Sequence, residues 1–133
     1  MKHSCQRQSV FSLRAGGNLF LPVALLCAFA LPAADALQGA QSAFDAQNLP
    51  AASAAFQQVS QTYAGTDAAY QAALGLNEVR LASGQAQLAV DELRKFVGSN
   101  PPAFYASGAH LLEGGALENL KKFDEAAKAY SQA

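Results

Sequence analysis

The side chains able to do chemistry in this 133-residue chain are few and badly placed for it. Its only histidines are His3 and His110, and its only cysteines are Cys5 and Cys27. His3 and both cysteines fall within the first 36 residues, so the rest of the chain has no thiol to act as nucleophile, disulfide partner or metal ligand. The acids Asp91-Glu92 and Asp124-Glu125 are consecutive, and neighbours on a helix point in different directions. They are expected at solvated positions, with Asp124 and Glu125 also favouring the positive end of a helix dipole. No serine has an identifiable histidine and acid partner for a triad. Gly114-Gly115 lacks the strand–glycine–helix context of a phosphate loop. His110 is expected to be a partly buried structural residue. The expectation is a protein without catalysis, metal or cofactor.

The chain divides in two by composition. Residues 1–36 have the order of an export signal: Lys2, Arg7 and Arg14, then the apolar run Leu19–Leu31, then Pro32 and the small residues Ala34 and Ala36. The apolar run is shorter than the ~20 residues of a spanning helix, so cleavage after Ala36 is expected, with an uncleaved N-terminal anchor as the alternative. Bulky Leu26 before Cys27 argues against a lipoprotein site. The leader holds three of the nine basic residues and one of the ten acids, leaving six against nine. A mildly acidic remainder without basic clusters does not suit nucleic acid.

From Leu37 the sequence is rich in alanine, glutamine and leucine and lacks strand-like alternation. Shifting it by 37 residues aligns Leu49, Ala86 and Phe123; Ala52, Ala89 and Ala126; Phe56, Leu93 and Tyr130; and Val59, Phe96 and Ala133. Each period reads as two helices, giving units 37–66, 67–102 and 103–133. Gly84 is expected to separate the helices of the second unit in a left-handed conformation. Asn100-Pro101-Pro102 is expected to close that unit, and Asp67 to cap the helix after the first. The last helix begins at KKFDEAAKAYSQA and is expected to run beyond Ala133, so the third unit is read as truncated.

In the columns Ala52/Phe56/Val59, Ala89/Leu93/Phe96/Pro101 and Ala126/Tyr130/Ala133 the sequence resembles the tetratricopeptide repeat family. The first helices match less well: Leu76-Asn77 and Arg80 stand where Leu-Gly and an aromatic are usual, and Glu113 stands in the leucine position before Gly114. The resemblance implies an all-α, right-handed solenoid of helical hairpins. Repeats of this length behind an export signal are similar to those of exported bacterial envelope proteins. These include the Tol–Pal-associated cell-division coordinator, outer-membrane assembly lipoproteins and the ancillary subunit of the Sec translocon.

That resemblance implies a protein-binding adaptor of the cell envelope, periplasmic or secreted, or else anchored in the inner membrane and facing the periplasm. First helices then line a concave groove. The expected groove residues are Gln41 and Phe44 in the first unit and Gln71, Leu74, Glu78 and Leu81 in the second. The third contributes Leu111, Gly115, Glu118 and Asn119. This apolar stripe edged by amides and acids suits a peptide segment or helix with aliphatic side chains and a basic group. Leu74 and Glu78 replace two residues of the basic clamp that binds acidic chain termini in some members of the family. Membrane contact is expected only through an uncleaved leader. A chaperone-like subunit at the translocon and a self-association module are the other readings.

Overall fold

The computed structural model describes residues 21–133, with side chains from Pro32 onward. His3 and Cys5 lie outside the described residues, and so does the side chain of Cys27. Among the described residues all regular structure is helical: α1 Leu21–Asp45, α2 Leu49–Thr62, α3 Asp67–Ala82, α4 Ala86–Gly98, α5 Ala103–Asn119 and α6 Phe123–Gln132. The unit Leu31–Ala133 is a stack of antiparallel hairpins in which α3 packs on α2, α4 and α5, and α5 packs on α4 and α6. It is an all-α solenoid.

One hairpin turn is built three times. Gln47, Gly84 and Lys121, each thirty-seven residues from the last, have φ of 59°, 75° and 60°. The following N–H groups, of Asn48, Gln85 and Lys122, donate to the carbonyls of Ala43, Arg80 and Leu117 at 2.9, 2.8 and 2.9 Å. Those of Gln47, Gly84 and Lys121 donate to Phe44, Leu81 and Glu118. This paired bonding around one left-handed residue satisfies the last carbonyls of a helix. The second helix starts two residues later each time, at Leu49, Ala86 and Phe123. Gly84 adopts the conformation expected of it.

The junctions between hairpins are not copies of one another. The first uses Gly65 at φ 82° and then Thr66, whose Oγ1 accepts from the Ala69 N–H at 3.3 Å. Thr66 is therefore the cap of α3, and Asp67 is its first helical residue rather than the expected cap. The acid still favours the N-terminal end of the dipole from there. The second junction uses Asn100 at φ 58° and the two prolines, with α5 starting at Ala103.

The core lies in the small and aromatic columns. Ala52, Ala89 and Ala126 are 0, 0 and 2% exposed, and Phe56 and Leu93 are fully enclosed, whereas Tyr130 is 39% exposed. Ala40, Asn77 and Gly114 form a buried column on the first helices. Asn77 is accommodated because its Nδ2 donates to the Ala73 carbonyl at 2.9 Å, while its Oδ1 accepts from Arg80 Nη1 at 2.9 Å. Both atoms of the side-chain amide are thus satisfied, which burial demands.

Upstream of Leu37 the backbone is already helical, with Pro32 inside α1. Ala33 is buried, and Ala36 packs against the cluster of Ala40, Ala52 and Phe56. A cut after Ala36 would divide α1 and remove both alanines from the fold. Among the described residues no helix is long and apolar enough to cross a membrane.

Candidate partner-binding groove

The ten expected groove residues fall into three environments. On α1, Gln41 is exposed and donates to Asp45 Oδ1 at 3.1 Å, while Phe44 is half-buried against the first core cluster. On α3, Gln71 is exposed, and Leu74 and Leu81 are half-buried against the second cluster, formed by Ala89, Leu93, Ala109, Leu117 and their neighbours. On α5, Leu111 is 55% exposed, Glu118 and Asn119 are exposed, and Gly115 is half-buried.

Two pairs among them share surroundings. Leu74 and Leu81 sit on the same cluster, so they are partly structural. A Cβ placed on Gly108 would lie 3.2 Å from Leu74 Cδ1, which shows how closely α5 approaches α3 there. Gly115 and Glu118 both border Tyr130 of α6. A Cβ on Gly115 would stand 3.9 Å from the tyrosine hydroxyl. That hydroxyl is pushed above its ordinary pKa, by desolvation first and then by the Glu118 carboxylate. Gly114, by contrast, has no room for a side chain, because the Tyr130 ring lies over it.

Glu78 differs from its neighbours. It is half-buried mid-helix on α3, a turn after Leu74 and a turn before Leu81. Among the described residues no basic group lies within 4.0 Å of it. Burial holds its carboxyl above the usual carboxylate value, because removing water disfavours the charged form.

A second polar centre, absent from the sequence-based expectations, joins α4, α5 and α6. Arg94 Nε donates to Glu113 Oε1 at 2.7 Å, and Arg94 Nη2 to Glu125 Oε2 at 3.1 Å. The hydrogen bonds it donates, to Glu113 first and Glu125 next, push the guanidinium pKa further up. Glu113 is the acid in the leucine position. Its side chain is 9% exposed, so a cation is what permits its burial. His110 is half-buried as expected, with Nδ1 enclosed and 3.6 Å from Glu113 Oε2. These groups, with Lys128 and Gln132, line an open cleft of about 410 Å³. Glu113 in an apolar column was the one sequence signal for this centre; its partner Arg94, on another hairpin, had none.

Among the described residues no three His, Cys, Asp or Glu side chains are grouped to hold a metal. Gln87 donates to Asp91 Oδ1 at 3.1 Å and Lys95 to Glu92 Oε1 at 3.1 Å, so that acidic pair is engaged in ordinary surface contacts. The expected groove positions offer apolar contact, side-chain amides and, at Glu78, a desolvated carboxylate.

Among curated proteins and among solved structures nothing matches this chain. The family model of the tetratricopeptide repeat-like domain matches residues 29–133, beginning within α1 and covering every later helix. With three like hairpin turns, buried small-residue columns and a match over most of its length, the chain belongs to the tetratricopeptide repeat-like domain family.

Proposed function

We propose that this protein is a scaffold or adaptor of the bacterial cell envelope that captures a segment of a partner protein on the exposed side of its first helices. Domains of this family suggest protein–protein interaction rather than catalysis. The observation that carries the reading is Leu111, 55% exposed on α5, beside an α3 that offers half-buried Leu74, Glu78 and Leu81. An uncovered aliphatic side chain next to apolar surface gains free energy when a partner removes it from water. The envelope location rests on the order of basic, apolar and small residues in 1–36.

Site-specific photo-crosslinking in cells tests the groove. A crosslinker at Leu111 should give discrete adducts, while one at exposed Gln57 on α2 should give few. Equal adducts at both positions would reject the groove. Fractionation with intact-mass measurement tests the location: a periplasmic species starting at Leu37 supports export and cleavage, and a membrane species retaining Met1 supports the anchored alternative. A cytoplasmic species would remove the envelope role. Exposed Phe123 and Tyr130 on α6 favour self-association as a second reading. Mass that rises with concentration, and falls back in Phe123→Ser, would support it.

A further inference from the structure

Three of the acids in the described chain are buried or half-buried: Glu78, Glu92 and Glu113. Glu92 has Lys95 at 3.1 Å and Glu113 has Arg94 at 2.7 Å. Glu78 has neither an ion pair nor a hydrogen-bond donor to its side chain among the described residues. Three cations among the described residues hold other partners. Arg80 donates to Asn77, Arg94 serves Glu113 and Glu125, and Lys122 reaches Gln87 at 3.4 Å. A carboxylate that loses water without gaining a cation is a cost to the fold, and the desolvation raises its pKa.

Glu78 is half-buried rather than enclosed, so part of it stays open to a bound segment. It stands one turn beyond Leu74, as Gly115 stands one turn beyond exposed Leu111 on the adjacent α5. We propose that the segment bound by this surface carries a lysine or arginine that pairs with Glu78, flanked by aliphatic residues that cover Leu111 and the exposed parts of Leu74 and Leu81. The inference rests on the groove reading above and specifies its partner. An ammonium or guanidinium there makes a charge-assisted hydrogen bond in a partly desolvated setting, stronger than a neutral one. An acidic segment or a free C-terminal carboxylate is repelled by the same group.

The test is selection from a random dodecapeptide display library on the full chain, run in parallel on Glu78→Gln, Glu78→Lys and Leu111→Glu, with circular dichroism confirming that each variant is helical. Glu78→Gln keeps the side chain's shape, and Leu111 is exposed, so both variants should fold. The expected result is enrichment of peptides with a basic residue between aliphatic ones. Their affinity by fluorescence anisotropy should fall about tenfold on Glu78→Gln, the size of one partly buried charge pair. Glu78→Lys should turn the enrichment toward Asp and Glu. Peptides that are lost on Leu111→Glu but show no basic preference and ignore Glu78→Gln would overturn the cation and leave the groove standing. Peptides indifferent to Leu111→Glu, or a selection that enriches nothing, would overturn the groove and this inference with it.

Discussion

Replacing Gly75 by alanine places a methyl group where the ring of Phe56 already lies. The added Cβ would stand 2.7 Å from both Cε1 and Cζ of that ring, roughly 1 Å inside the 3.5–4.0 Å of a comfortable carbon contact. Phe56 is 1% exposed and packed among Ala52, Val59, Ala72 and Val79, so the ring has nowhere to swing. Overpacking of this kind costs about 1–3 kcal/mol. Against it stands the helix preference of alanine over glycine, about 1 kcal/mol. Gly75→Ala should therefore be destabilising by about 0–2 kcal/mol. Gly39 supplies the control. It lies inside α1, and a Cβ there meets nothing within 4 Å, so Gly39→Ala should gain the propensity term alone. Propensity cancels between the two variants, and their difference, about 1–3 kcal/mol, isolates the contact with Phe56. Urea unfolding followed by circular dichroism at the helical band measures both. Adding Phe56→Leu to Gly75→Ala should recover part of the loss, a coupling expected of residues in contact. If Gly75→Ala stabilises as much as Gly39→Ala, the close approach of α2 and α3 at this point is wrong.

Lys121 holds the left-handed turn position that Gly84 holds in the preceding hairpin. Lys121→Gly should thus stabilise by about 1 kcal/mol despite glycine's flexibility, read as a rise in urea midpoint, and a fall would refute the turn geometry. Arg94→Ala strips the buried Glu113 of its cation and should cost about 1–2 kcal/mol, since Arg94 itself is half exposed. Arg94→Met with Glu113→Leu, which removes both charges, should cost less than Arg94→Ala alone by the same urea assay. Glu78 has its folded-state pKa raised above the ordinary 4.5 by burial, so its ionised form weakens the fold. Glu78→Gln should accordingly raise the melting temperature at pH 7. The advantage should shrink as pH falls through the folded-state value and be gone below about 4.5, where the wild-type carboxyl is protonated in both states. An advantage independent of pH would mean that desolvation is not its cause.

The hairpin repeat was legible because its columns obey local rules. Alanine at 52, 89 and 126 and a bulky residue four positions later recur whatever the surroundings, and the helix starts at 49, 86 and 123 follow them. Gly84 announced its turn, since glycine alone reaches positive φ without cost. Gln47 and Lys121 gave no such sign. They occupy the same conformation because the hairpin they close demands it, and the helices packed on either side outweigh the local strain. The cap at Thr66 was missed for Asp67 because both residue types cap well, and the bend at Gly65 fixes which of them precedes the first turn.

Of the groove, the sequence named first-helix positions by their spacing, and spacing fixes which side of a helix a residue lies on. Burial is another matter. Leu74 and Leu81 turned out to rest partly on the second core cluster, Leu111 is left largely uncovered, and Gly115 and Glu118 are drawn into the surroundings of Tyr130. These differences depend on how far apart neighbouring helices settle, which is set by ring against glycine at Phe56–Gly75 between two hairpins and at Tyr130–Gly114 within the last one. The Arg94–Glu113–Glu125 centre is of the same kind. Residues 19 and 31 positions apart meet there, and only the stacking of α4, α5 and α6 brings them within reach. The sequence by itself determined the helices, their pairing and the apolar columns, because those follow from periodicity and local backbone preference. Which carboxylates gain a cation within the described fold and which does not was decided by tertiary structure, since a charge's state depends on neighbours that periodicity does not name.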